Sequence, residues 1–247
     1  MAGQNRFQAL KKWATKEMKF QQGRNMFNLE PAALLAGNVV NHVSWNYATY
    51  DSIRGGICAS LVADWLKEKV LGSNSLFSTS QKTFTAGGGD DKNSAKVASL
   101  MRSAAPGQIE YAANGNIHNL YKGKELYLHD APAQKNKGSA PTYQPVTDIQ
   151  RSFRDLCEGT DFQGGAGLVM SMTFLKIPGG AIIARHAVGA YKSKAGQVHF
   201  FDPNVGIYKL NSFSGFITAW ISAYEAQGMQ MTMNQLNDGF YFCDDKP

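Results

Sequence analysis

The chain has 247 residues, 43% hydrophobic and 18% charged. This excludes a disordered chain, which could not bury enough apolar surface to offset its entropy. The length allows one large domain or two small ones, and no apolar run reaches the roughly 18 residues that a bilayer span needs.

The net charge of +6 is concentrated at one end. Met1 to Arg24 holds six basic residues (Arg6, Lys11, Lys12, Lys16, Lys19, Arg24) and one acid, Glu17. A nucleic-acid-binding domain would spread its basic residues over a face and interleave aromatics, so nucleic acid is not expected. Phe7, Leu10, Ala14 and Met18 recur at spacings of three and four, which predicts a short amphipathic surface helix. Such a segment suits docking, chaperone binding or contact with a membrane surface. It has no continuous apolar stretch and no small-residue cleavage site of a signal peptide. Residues 1–30 are therefore read as a basic export or docking segment, and 31–247 as the folded domain.

Pro31 to Val43 reads as helical at first, and Trp45 to Gly56 as turn-like. Cys58 to Val70 is the clearest helix, with Leu61, Val62, Trp65 and Leu66 on one face, Asp64, Lys67 and Glu68 on another, and Gly72 as its stop. Leu71 to Asp91 is polar and ends in A-G-G-G-D-D without the Lys and Ser/Thr of a phosphate loop, so it reads as a loop. Asn93 to Ala105 reads as a helix, and Gln108 to His129 as strands or a helix with a hairpin. Asp130 to Pro145, with three prolines, is a surface loop. Val146 to Cys157 is an amphipathic helix with Cys157 as a core residue. The period then changes to strands at Gly167–Lys176, Gly180–Tyr191, Gln197–Asp202 and Ile207–Leu210, followed by a helix over Ser212–Gln227 and a last strand at Phe240–Cys243. Helices first and an antiparallel meander after them define an α+β class.

Three widely spaced cysteines, Cys58, Cys157 and Cys243, are not a disulfide framework. Cys58 follows Gly55-Gly56-Ile57 and opens a helix. There the dipole and the free N–H groups favour a thiolate, although a buried cysteine at a helix start has the same local sequence. His186 lies within an apolar strand and could equally be a core histidine. The next strand, however, ends in Asp202, 16 residues further on. If the two strands pair through the turn at Lys192 to Gly196, Asp202 meets the imidazole. The expected geometry has the carboxylate accepting the Nδ1–H bond and Nε2 facing the nucleophile. His42, His118, His129 and His199 show no zinc-site spacing, His199 reads as structural, and no metal or cofactor is expected.

The blocks G-G-I-C-A-S-L-V-A-D-W, R-H-A-V-G-A-Y and V-H-F-F-D-P-N-V-G resemble those of the YopT/AvrPphB family of bacterial effector cysteine proteases. The resemblance covers roughly Ser44 to Leu210 and is weak between Leu71 and Ala166. It implies a papain-like fold in which the nucleophile opens a helix packed against an antiparallel sheet carrying His and Asp. It implies Cys58 as nucleophile, His186 as general base and acid, and Asp202 as the orienting residue. It further implies an effector or toxin, secreted independently of a signal peptide, that cleaves a protein in the cytoplasm of a target cell. A papain-like oxyanion hole needs a side-chain donor upstream of the cysteine. The usual Gln is missing there, and Ser52 or Asn46 could supply the donor or simply belong to a turn. The same triad also suits other thioester-forming enzymes, such as a cell-wall amidase, a deamidase or an acyltransferase. A decayed, non-catalytic binding module is the third reading.

Overall fold

The protein is described here by a computed structural model covering residues 7–20, 22, 56–72, 77, 94–131, 146–160, 162–177, 180–233 and 238–245. The expectations for 31–43 and most of 45–56, 71–91 and 130–145 lie outside these residues.

In chain order a short 3-10 helix (Gln8–Lys12) leads into β1 (Ala14–Lys19), followed by α1 (Cys58–Leu71), α2 (Ser94–Asn114), α3 (Ile117–Lys122) and β2 (Tyr127–Asp130). Then come α4 (Val146–Glu158), β3 (Gly167–Lys176), β4 (Ile182–Lys192), β5 (Val198–Asp202), β6 (Gly206–Leu210), α5 (Phe213–Glu225), β7 (Met229–Thr232) and β8 (Gly239–Asp244). The strands form one sheet in the order β1-β6-β5-β4-β3-β8-β2, and β7 pairs with β3 beyond the end of β8. The described pairings are antiparallel. The fold is thus α+β, and its antiparallel sheet and flanking helices are compatible with the papain-like expectation.

Both faces of the sheet are covered. Alternate residues enter two cores: Val169, Ala187, Phe201 and Ile207 face α1, α2 and α3. Leu168, Val188, Phe200 and Tyr208 face α4 and α5. A strand covered on both faces reads as a continuous apolar run rather than an alternation, and β3 is buried at every position but its last.

α1 lies between the sheet and the helices α2 and α3. Leu61, Val62, Trp65 and Leu66 are fully buried as predicted, but Glu68 on the expected polar face is buried too. Asp64 on that face pairs with Lys124. α1 can approach β4 because residue 189 is glycine. A Cβ there would stand 2.9 Å from Val62 Cγ1 and 3.1 Å from Trp65 Cζ3. At the C-terminus of α1, Gly72 takes the left-handed conformation (φ 66°) that stops it.

The predicted amphipathic helix over Phe7 to Met18 is a 3-10 turn followed by a strand. Apolar residues four apart fit both the helical and the strand period, but here Ala14 enters the core under α4 and α5 while Met18 enters the core under α1 to α3, because the ladder shifts register between Lys16 and Met18. Pairing with β6, from Ala14 opposite Leu210 to Lys19 opposite Gly206, decides for the strand. Lys16, one of the basic residues of this segment, donates to the carbonyl of Val205 at 3.2 Å and lies over the Tyr208 ring.

Filling the gap at Gly189 tests this packing. Gly189→Val is expected to destabilise the fold by about 1–3 kcal/mol, the usual range for overpacking a tight core. Chemical denaturation of the variant against the parent measures it.

Candidate active site

The carboxylate is the best-anchored group of the site. Asp202 is the last residue of β5 and fully buried. Its Oδ1 accepts from His186 Nε2 at 2.8 Å and from the Asn204 backbone N–H at 2.8 Å. Its Oδ2 accepts from Trp220 Nε1 at 2.7 Å and from the Tyr224 hydroxyl at 2.8 Å, both on α5. The Asn204 bond is an aspartate turn, closed by Val205 N–H donating to the Asp202 carbonyl at 3.0 Å. The D-P-N-V-G block is therefore a turn that uses its own aspartate both to fold and to present an oxygen.

The strand register brings His186 there. Gly189 pairs with Phe201, so one further step along the ladder sets Val188 against Asp202, with His186 diagonal to it on the same face. The imidazole is buried and stacks on Phe174 at 5.7 Å between ring centroids, and Phe174 in turn stacks on Tyr224.

Cys58 is the first residue of α1 and its thiol hydrogen-bonds to His186. The thiol also accepts from the backbone N–H groups of Ala187 and Ala59. The structure thus brings Cys58, His186 and Asp202 together, but it reverses the expected use of the two ring nitrogens. Asp202 holds Nε2, which leaves Nδ1 for the sulfur. The reason is local. A sulfur that accepts the N–H of Ala187 sits beside the backbone next to His186, within reach of Nδ1, the ring nitrogen nearer the main chain. Nε2, at the ring tip, extends to the neighbouring strand.

The electrostatics follow from these bonds. Burial pushes the Cys58 thiol up, but the hydrogen bond and positive charge of His186 and the two backbone donors outweigh it and hold the thiol below its usual range. Burial alone would lower His186, yet the charge and hydrogen bond of Asp202, with those of Cys58, push it up to about 10. Burial likewise raises Asp202, and the imidazolium together with the Trp220 and Asn204 donors brings it below the ordinary carboxylate range. These directions favour a thiolate beside an imidazolium over the neutral pair. Cys157 and Cys243 are buried free thiols, both pushed up chiefly by burial.

Gln22 joins the site from far upstream in the chain. It is 5% exposed and bridges the two sides of the site. Its Oε1 accepts from the Ile57 N–H at 3.0 Å, immediately before the cysteine. Its Nε2 donates to Asn204 Oδ1 at 2.9 Å, and its backbone N–H donates to the Pro203 carbonyl at 2.8 Å. No local pattern marks it, because it lies far upstream of the cysteine and works only through the turn after β5. Gln108 Oε1 accepts from the Ser60 N–H at 3.2 Å, so among the described residues the Cys58 N–H alone of Ile57 to Ser60 is left without an acceptor. Ser52 and Asn46 lie outside the described residues. His199 Nδ1 pairs with Glu17 Oε2 at 3.0 Å, away from the site. Among the described residues no group of three His, Cys, Asp or Glu side chains could hold a metal ion.

By its family, the chain falls among bacterial virulence-associated cysteine peptidases. The matching model is the Peptidase_C58 family, described as Yersinia/Haemophilus virulence surface antigen; it spans residues 19–238, and the chain belongs to that family. No curated protein matches the chain. The family segment contains Gln22, Cys58, His186, Asp202 and Asn204.

The thiolate can be tested by alkylation across pH. Iodoacetamide is expected to modify Cys58 at pH values where an unperturbed thiol, with a pKa of about 8.5, reacts slowly, while Cys157 and Cys243 stay unlabelled. The rate should fall only as the pH drops through the lowered thiol pKa. His186→Ala should move that limb upward and slow labelling at neutral pH by at least about tenfold. Peptide mass mapping reads all three cysteines at once.

Proposed function

We propose that the protein is a papain-like thiol peptidase acting through Cys58, His186 and Asp202. The observation that carries this reading is the bonded series from the Cys58 thiol to His186 to a fully buried Asp202, in a chain of a cysteine peptidase family.

In this mechanism the Cys58 thiolate attacks the carbonyl carbon of the scissile amide, and the carbonyl π pair moves onto oxygen. The Cys58 N–H at the positive end of α1, without an acceptor among the described residues, faces that developing oxyanion. The tetrahedral intermediate collapses by breaking the C–N bond as the His186 imidazolium gives its proton to the departing nitrogen. The amine leaves, and the acyl group remains as a thioester on Cys58. Neutral His186 then takes a proton from water as the oxygen attacks the thioester. Collapse of the second intermediate releases the carboxylic acid product and restores the thiolate and the imidazolium. Asp202 never gains the proton: it fixes the ring orientation and stabilises its positive charge.

The substrate proposed is a protein in the cytoplasm of a target cell, reached after export without a signal peptide. Lys11, Lys12 and the other basic residues of the N-terminal segment would serve a secretion chaperone, a secretion-system component or an anionic membrane surface.

Terminal-amine mass spectrometry of cells expressing the parent or Cys58→Ala tests the reading. New protein termini are expected with the parent only. His186→Ala should abolish them, and Asp202→Asn should lower their rate of appearance on the order of 10²–10⁴-fold. Identical termini from parent and Cys58→Ala would overturn the reading. Cys58-dependent degradation of cell-wall peptides with no protein cut would instead favour an amidase on the same triad.

A further inference from the structure

The strand that carries His186 has one unused edge. β3 pairs with β4 along Ile182 to Tyr191, whereas β5 pairs with it only from Gly189 to Lys192. The same register continued would set Pro203 against Ala187, and proline has no N–H for the ladder. The chain turns away at that point, so among the described residues no strand lies against the second edge of β4 from Ile182 to Val188.

One bond shows which groups this edge presents. The Ala187 N–H points away from β3 to the Cys58 sulfur. By the two-residue period of a strand, the N–H and C=O of Arg185 point the same way. They are the next pairing position along the edge, one two-residue step from the thiolate. Further along, Ile182 is 55% exposed and Ile183 48%, with Ile177 at the end of β3 44% exposed. Natural edges are commonly blunted by charge, proline or short length; this one carries Arg185 but ends in two exposed isoleucines at the β-bulge around Ile183.

The chemistry assigns a direction to whatever binds there. The departing amine takes its proton from His186, so the residues after the scissile bond lie over the His186 strand. They run from Ala187 toward Ile182, against the direction of β4. We propose that the β4 edge from Ala187 to Ile182 receives the segment following the scissile bond as an added antiparallel strand. Its backbone pairs with Arg185, and its apolar side chains rest on Ile177, Ile182 and Ile183. The recognised class is an extended peptide rich in β-branched or aromatic residues just after the cleavage point. This inference rests on the peptidase reading.

The probe is a synthetic peptide spanning the cleavage site that terminus mapping identifies, with each amide after the scissile bond N-methylated in turn. Paired strands bond through alternate residues, so kcat/KM should fall about tenfold or more at every second methylated position and hold at those between. The double variant Ile182→Asp/Ile183→Asp should lower kcat/KM about tenfold for the unmodified peptide, while the rate of Cys58 alkylation stays at the parent value. Uniform tolerance of N-methylation, or a double variant that cleaves like the parent, would overturn the added strand and leave the peptidase reading intact. Absence of any Cys58-dependent terminus in the mapping would remove both.

Discussion

A fully buried carboxylate would be costly without bonded partners, because an uncompensated charge in a protein interior loses its hydration and recovers little. Asp202 is compensated on both oxygens by four donors from three places: His186 on β4, the turn at Asn204, and Trp220 and Tyr224 on α5. This requirement organises the surrounding fold. It holds α5 against the sheet at Trp220 and Tyr224, and it fixes how the chain leaves β5. It also commits the tip of the His186 ring to one partner, leaving the other nitrogen for the sulfur. The thiol then depends on the imidazolium, and the imidazolium on the carboxylate.

The two sides of the site come from parts of the chain far apart in sequence, and two contacts hold them in register. One is steric: the missing side chain at Gly189 lets Val62 and Trp65 bring the start of α1 close to β4. The other is polar: Gln22 ties Ile57, just ahead of Cys58, to Pro203 and Asn204, just after Asp202. The turn that gives up pairing at Pro203 has a further consequence. It ends the β4–β5 ladder beside Cys58, and so, among the described residues, the unpaired stretch of β4 and the Cys58 sulfur occur at the same place.

Much of this was legible in the sequence, for identifiable reasons. The strands β3 to β6 and the helix α5 carry strong apolar patterns bounded by glycine or polar turns, and their observed limits lie close to those expected. The antiparallel β4–β5 hairpin was enough to bring residue 202 near residue 186. The segment expected to be an N-terminal helix is a strand because its structure is set by pairing with β6, far along the chain, with a register shift that turns Met18 to the face opposite Ala14. β7 was missed because M-Q-M-T is short and weakly β-forming, and its strand character comes from pairing with the outer end of β3. The polar face expected of α1 is largely covered because α2 and α3 lie outside it. The ring nitrogens were assigned the wrong way round because spacing along a strand gives proximity but not which atom of a ring points where. Gln22 left no trace, since its role exists only after the sheet, the turn and α1 have come together.

Above all, the buried Asp202 keeps His186 charged beside the Cys58 sulfur. Nitrogen-15 NMR of the protein labelled in histidine measures this directly, through the protonation state of the two His186 ring nitrogens. At neutral pH both should carry a proton in the parent, and the signal of the singly protonated ring should emerge only as the pH rises toward about 10. A His186 ring already neutral at pH 7, with one bare nitrogen beside a protonated thiol, would contradict the account.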